Sequence, residues 1–242
     1  MFPLRDNVPS IRRPYVTIMI IVLNFLIFTY QFILPDRANV RFVYTYGFLP
    51  ARLSEELLSG DFSLWTLLPV LSGMFLHGSW LHLLSNMWFM WLFADNVEDR
   101  LGHFRFLLFY ILSGAAAMAL HYVLHPGSAV PAVGASGAIA GVMGAYYVLF
   151  PRARITTLVI IVFIPVFINI PAVLYLVGWF VMQVYSGTIN ALAGGIGDGI
   201  AWWAHIGGFL GGIGLLKLFY TPRYYRPVKY DYDWYVSRRY PY

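Results

Sequence analysis

Long apolar runs free of Asp, Glu, Lys and Arg alternate with short charged segments along this chain. Charge is absent from Pro14 to Pro35, from Phe62 to Ala94, from Phe106 to Pro151, from Ile155 to Gly197 and from Gly199 to Leu216. Each run can hold a helix of the ~20 residues needed to cross ~30 Å of hydrocarbon. The third can hold two, because His125-Pro126-Gly127-Ser128 interrupts it with turn residues. The pattern predicts helices near 14–34, 75–94, 105–124, 134–150, 160–186 and 200–219. Pro165, Asn169 and Pro171 predict a kink in the fifth, with its freed carbonyls satisfied locally. The segment between the first two helices, roughly 36–73, carries patches such as Phe62-Ser63-Leu64-Trp65 and reads as a loop dipping into the membrane interface.

Composition agrees with a lipid solvent, at 60% hydrophobic and 11% charged residues with a mean hydropathy of +0.66. Charge placement then orients the helices. With Arg5, Arg12 and Arg13 inside, six spans put 13 of the 16 Lys and Arg residues on the cytoplasmic face and leave only Arg37, Arg41 and Arg52 outside. A seventh span would strand the basic C-terminus on the wrong side. The expected organisation is an all-α membrane protein: a cytoplasmic arm over 1–13, a six-helix membrane domain over 14–219, and a basic, aromatic cytoplasmic tail over 220–242 resting on anionic headgroups. The net charge of +5 comes from these inside-facing residues and does not argue for nucleic acid. Pro14 to Pro35 is long enough to span and lacks a small-x-small cleavage site, so no signal peptide is expected. The short N-terminal arm leaves no room for a long organelle-targeting presequence, which points to the plasma (inner) membrane of a prokaryote. With no cysteine, neither a disulfide framework nor a thiol nucleophile is available.

Polar residues inside the apolar runs need a reason, because they are costly in lipid and line bundle interiors or functional cavities. Ser136 lies 14 residues before Phe150 and His205 lies 14 before Phe219. At 1.5 Å per residue both sit ~21 Å above the cytoplasmic face. Helix two runs the opposite way and places His82, 13 residues before Asp95, at a similar level. Asn86 shares its face one turn deeper. Gly137, Gly141 and Ala145 form one small-residue stripe, and Ala204, Gly208 and Gly212 another. Such stripes let backbones approach closely in lipid, so helix four against helix six would bring hydroxyl and imidazole together. A neutral imidazole can then take the serine proton, and His82, Asn86 and the Ser136 amide are candidate donors to a developing oxyanion. No carboxylate lies at this depth, and Asp198 sits too near the outer loop to complete a triad.

His82-Leu83-Leu84-Ser85-Asn86, Gly134-Ala135-Ser136-Gly137 and Ala204-His205-Ile206-Gly207-Gly208, in that order on helices two, four and six, resemble the rhomboid intramembrane serine proteases. Phe75-Leu76-His77-Gly78 and Asn96-Val97-Glu98-Asp99 extend the resemblance at either end of helix two. It implies Ser136 as nucleophile, His205 as general base, and His82 and Asn86 as oxyanion donors, while Gly134, Gly137, Gly141, Gly208 and Gly212 are expected to serve helix packing. It further implies lateral access gated by helix five and the loop before helix six, no cofactor, and single-span membrane proteins as substrates. Some rhomboids carry a Tyr one turn after the nucleophile that packs on the base; here that position is Ala140, and the approach to helix two, Trp65 to Gly73, is a few residues longer than usual.

Other classes fit less well. A non-catalytic relative that binds transmembrane helices would not need both Ser136 and His205. A transporter would be expected to show internal repeats and broken helices at the midplane. His121 and His125, four apart, lack the third ligand of a zinc site. Trp179 and Gln183, also four apart, are expected to be ordinary packing residues facing the bundle.

Overall fold

The computed structural model describes residues 2–193 and 201–221. A strand, β1 (Phe2–Asp6), precedes α1 (Tyr15–Ile33). Three short helices follow: α2 (Asp36–Tyr46), α3 (Pro50–Ser59) and α4 (Leu64–Ser72), the last running into a 3-10 turn at Gly73–Phe75. Then come α5 (Trp80–Leu101), α6 (His103–Leu124), α7 (Ser136–Leu149), β2 (Arg154–Ile161), β3 (Ile164–Pro171), α8 (Ala172–Leu192) and α9 (Trp202–Phe219). By length and composition α1, α6 and α8 can each cross a membrane, and the α4–α5 pair, bent by 85°, makes a fourth candidate. At 14 residues α7 is only ~21 Å long.

Two expectations are corrected. The chain is mostly helical but not all-α, because β1, β2 and β3 form an antiparallel sheet in that order. Helix five begins at Ala172 rather than near 160, and the expected kink at Pro165, Asn169 and Pro171 is instead strand β3. The cause is local: Ile155 to Ile170 is dense in β-branched residues, which are stiff in helices and favour pleated strands. Pro165 and Pro171 also lack the N–H that a helix interior requires. Thr156 Oγ1 donates to the facing Asn169 Oδ1 across the ribbon, 2.8 Å away.

The segment expected to be a loop is helical because its punctuation is. Pro50 starts α3, Gly60 ends it in the left-handed region at φ +79°, and a Ser63–Thr66 capping box opens α4. This segment braces the loop that leads into α7. Phe48 and Ala132 exchange backbone hydrogen bonds at 3.0 and 2.7 Å, Ala51 N donates to Ser128 O at 3.0 Å, and Gly134 N to Gly73 O at 2.9 Å.

At the charged end of α5, Glu98 is 1% exposed and its carboxylate accepts from Val16 N, Thr17 N and Thr17 Oγ1 at 2.9, 2.8 and 2.7 Å. The placement satisfies orphan amides and the positive end of the α1 dipole. Asp6 of β1 accepts from the Tyr146 hydroxyl and from Asn96 Nδ2, the latter at 3.1 Å, tying the N-terminal strand to α5 and α7. Burial pushes the Asp6 carboxyl up to about 6, with Asp95 adding to the effect. The folded state therefore holds this proton above the pH at which the unfolded chain releases it. The stability Asp6 contributes is complete below about 4 and is lost as pH rises through about 6. Thermal unfolding in detergent between pH 4 and 7 should show Asp6→Asn gaining on the wild type as pH rises through that window. Parallel profiles for the two proteins would contradict this.

Candidate active site

Ser136 is the first residue of α7, so its amide precedes the helix's own hydrogen-bond ladder. His205 lies in the first turn of α9. The two elements expected to approach do so, and His205 Nε2 stands 2.8 Å from Ser136 Oγ. The small residues are arranged differently from two facing stripes. A Cβ on Gly208 would fall on the carbonyl oxygen of Gly137, and one on Gly212 on that of Gly141, so the α9 glycines lie directly against the α7 backbone. Gly137 and Gly141 themselves face α6, at Ala117 and Ser113. Thus α7 is clasped between α6 and α9.

On its other nitrogen, His205 Nδ1 lies 2.7 Å from Gln183 Oε1, and Gln183 is 6% exposed. An amide oxygen only accepts, so the imidazole proton is on Nδ1 and the Nε2 lone pair is left for the serine hydroxyl. This corrects the expectation that Gln183 merely packs. The Trp179 ring, one turn earlier on α8, lies 6.0 Å from the imidazole at 35°, and Trp202 meets it edge-on at 6.3 Å. Aromatic support for His205 thus comes from α8 and the start of α9, while Ala140 is buried in the core. Asp198 lies outside the described residues, as does the tail from 222 onward.

His82 and Asn86 lie on the first two turns of α5 and converge on Gly134, two residues before Ser136. Gly134 has φ +120°, and a Cβ there would stand 2.7 Å from His82 Nε2 and 3.5 Å from Asn86 Nδ2. The chain can pass this close to the two side chains only as glycine. Asn86 Nδ2 lies 2.9 Å from His77 Nε2. One N–H of the amide goes to His77, and the other stays available to the site. The His77 backbone is held in turn by α1: its amide N–H donates to Gln31 Oε1 at 3.1 Å, and Gln31 Nε2 donates to its carbonyl at 3.3 Å. Sequence reasoning missed Gln31, and it found Gln183 but gave it only a packing role. Both are amides within charge-free helices, a signal present but shared with many structural residues. His121 and His125 stack at 5.2 Å near the end of α6, and no group of three or more potential metal ligands occurs among the described residues.

Comparison with known proteins finds rhomboid relatives. The presenilin-associated rhomboid-like protein, mitochondrial, of Mus musculus is 34% identical over 101 residues, 41% of this chain and 26% of the relative. Rhomboid-like protein 11, chloroplastic, of Arabidopsis thaliana is 40% identical over 67 residues, 28% of this chain and 24% of the relative. The candidate rhomboid protease YdcA of Bacillus subtilis (strain 168) is 46% identical over 71 residues, 29% of this chain and 35% of the relative. Each match therefore covers only a quarter to a third of the relative's own length. The description Rhomboid domain matches residues 62–222, which take in Ser136, His205, His82 and Asn86 together with the helices that carry them, and the chain belongs to the rhomboid family.

Proposed function

We propose that this chain is an intramembrane serine endopeptidase that cleaves transmembrane segments of single-span membrane proteins through a Ser136–His205 dyad. The observation that carries the reading is the 2.8 Å approach of Ser136 Oγ to His205 Nε2, with Nδ1 already engaged by Gln183. His205 Nε2 takes the Ser136 proton as Oγ attacks the peptide carbonyl carbon. The imidazolium then returns that proton to the leaving amine as the C–N bond breaks. A water, deprotonated by the same nitrogen, attacks the acyl carbon, and Nε2 passes that proton to Ser136 Oγ as the acyl C–O bond breaks. Negative charge on the carbonyl oxygen is met by donors already in place: the free Asn86 N–H, His82 and the Ser136 amide. No cofactor is required.

In this reading α1, α5, α6, α7, α8 and α9 are the six spans, with both termini on the cytoplasmic side, β1 of the 1–13 arm lying along α5 from that side and the tail over 220–242 on that face. The positive-inside distribution supports it. Cleavage of a tagged single-span substrate panel in liposomes, with Ser136→Ala alongside, tests the function. Turnover that survives Ser136→Ala would reject the mechanism, and a folded wild type inert on every substrate would favour a non-catalytic helix-binding role.

Gln183 acts through His205 as a positioning residue. Gln183→Leu removes the Nδ1 acceptor and frees the ring to turn, and loss of such a hydrogen bond lowers kcat about 10-fold with little change in KM. Gln183→Glu keeps an acceptor and should restore most of the rate. Equal rates for wild type and Gln183→Leu would remove this role.

A further inference from the structure

We propose that the β2–β3 hairpin is inserted in the bilayer, its tip at Ile160–Ile164 among acyl chains and the arginines at its base at the level of the lipid phosphates. The inference is independent of whether the dyad turns over.

The tip has the wrong chemistry for water. Val162 and Phe163 are 82% and 94% exposed, and Ile160, Ile161 and Ile164 are exposed beside them, on both faces of the ribbon. An antiparallel ribbon that meets water or docks on protein commonly keeps one face polar. The turn residues Val162 and Phe163 both have positive φ, 46° and 72°. Asn-Gly adopts that two-residue turn freely, whereas a β-branched and an aromatic residue are strained in it. The chain accepts that strain and keeps apolar side chains at the point of greatest exposure.

Register gives the direction. Asp6 is level with Asn96 through their 3.1 Å hydrogen bond, and Pro3 is level with Trp88, whose Nε1 donates to Pro3 O at 2.7 Å. Phe2 stacks on the same Trp88. From Asp6 back to Phe2, β1 therefore climbs ~12 Å along α5, away from its charged end. Asp6 pairs with Ile155 and Phe2 with Leu158, so β2 climbs in the same direction and continues past β1 to the tip. Apolar faces of α5 and α8 are exposed at these levels, among them Trp91, Leu84, Leu174 and Val177. The hairpin extends a surface that already meets lipid. Pro165 carries no N–H, which reduces the strand donors facing hydrocarbon.

The base has complementary chemistry. Arg5 and Arg154 line a cleft of about 850 Å³ with Asp6, Thr156, Phe167 and Asn169, and Arg152 is exposed beside it. No charged residue occurs from Ile155 to Leu192. The change from guanidinium groups to bare hydrocarbon within one hairpin matches the headgroup-to-acyl transition of an anionic leaflet.

The chain has no cysteine, so Phe163→Cys can carry a single NBD label, with Ile160→Cys as a second tip site and Arg152→Cys at the base. Each would be reconstituted in phosphatidylcholine–phosphatidylglycerol vesicles after its melting temperature matches the unlabelled protein. Both tip labels should lose most of their fluorescence to an acyl-chain nitroxide lipid and little to aqueous iodide, with the order reversed at 152. Iodide reaching position 163 as readily as 152 would place the tip in water and overturn the proposal. Tip labels shielded from both quenchers would mean that protein covers the hairpin, and would overturn it equally.

Discussion

Ser136→Ala and His205→Ala are each expected to lower kcat for a single-span substrate by on the order of 10⁴-fold or more, and the double variant to be no slower than either alone. The non-additivity is the informative part. The hydroxyl attacks only while Nε2 takes its proton, so removing either partner removes one shared function. Gln183 is neutral and stabilises an imidazolium less than a carboxylate would, which leaves the reaction dependent on the 2.8 Å contact itself. KM should stay close to the wild-type value in all three variants, because neither side chain is needed to hold the substrate's helix in the membrane. Steady-state assays in liposomes measure both quantities. Additive losses would mean that Ser136 and His205 act separately and would dissolve the dyad.

Ser136 and His205 could be read in the sequence because a hydroxyl and an imidazole in charge-free helices stand out, and helix rise converts their positions into one depth. The ends of α1, α6, α7 and α9 were visible for a similar reason, since charge and turn residues bound them. The fifth apolar element was not. Over Ile155–Pro171 a hydropathy profile cannot separate a buried helix from a ribbon with a bare apolar tip, and only the β-branched density and the two prolines distinguish them. The helices α2 to α4 left signals in Pro50, Gly60 and the Ser63–Thr66 pair, but α2 and α3 are only weakly apolar and α4, though apolar, is too short to span, so they stood behind a loop-like reading. His77 was visible beside helix two. That it would take one N–H of Asn86, and be gripped by Gln31 from α1, depends on three elements meeting and lies beyond any local pattern.

The same distinction separates glycines that look alike in sequence. Gly208→Ala should destabilise the protein at the upper end of the about 1–3 kcal/mol typical of overpacking, because the new methyl would meet the Gly137 carbonyl, a backbone atom that cannot rotate away. A fall in Tm on the order of 10 °C follows. Gly214→Ala and Gly178→Ala, in α9 and α8, meet nothing within 4 Å and should leave Tm unchanged or slightly higher, alanine being the better helix former. Cleavage should suffer in the folded variant as well. Gly208 is one turn beyond His205 and presses on the residue next to Ser136, so the displacement that relieves the overlap separates Oγ from Nε2. A shift of about 1 Å at reacting atoms can cost about 10²-fold in rate. Gly208→Ala assayed well below its own Tm should therefore stay folded and still be slow. A folded Gly208→Ala that cleaves at the wild-type rate would mean that the α7–α9 seam does not set the distance between the two side chains.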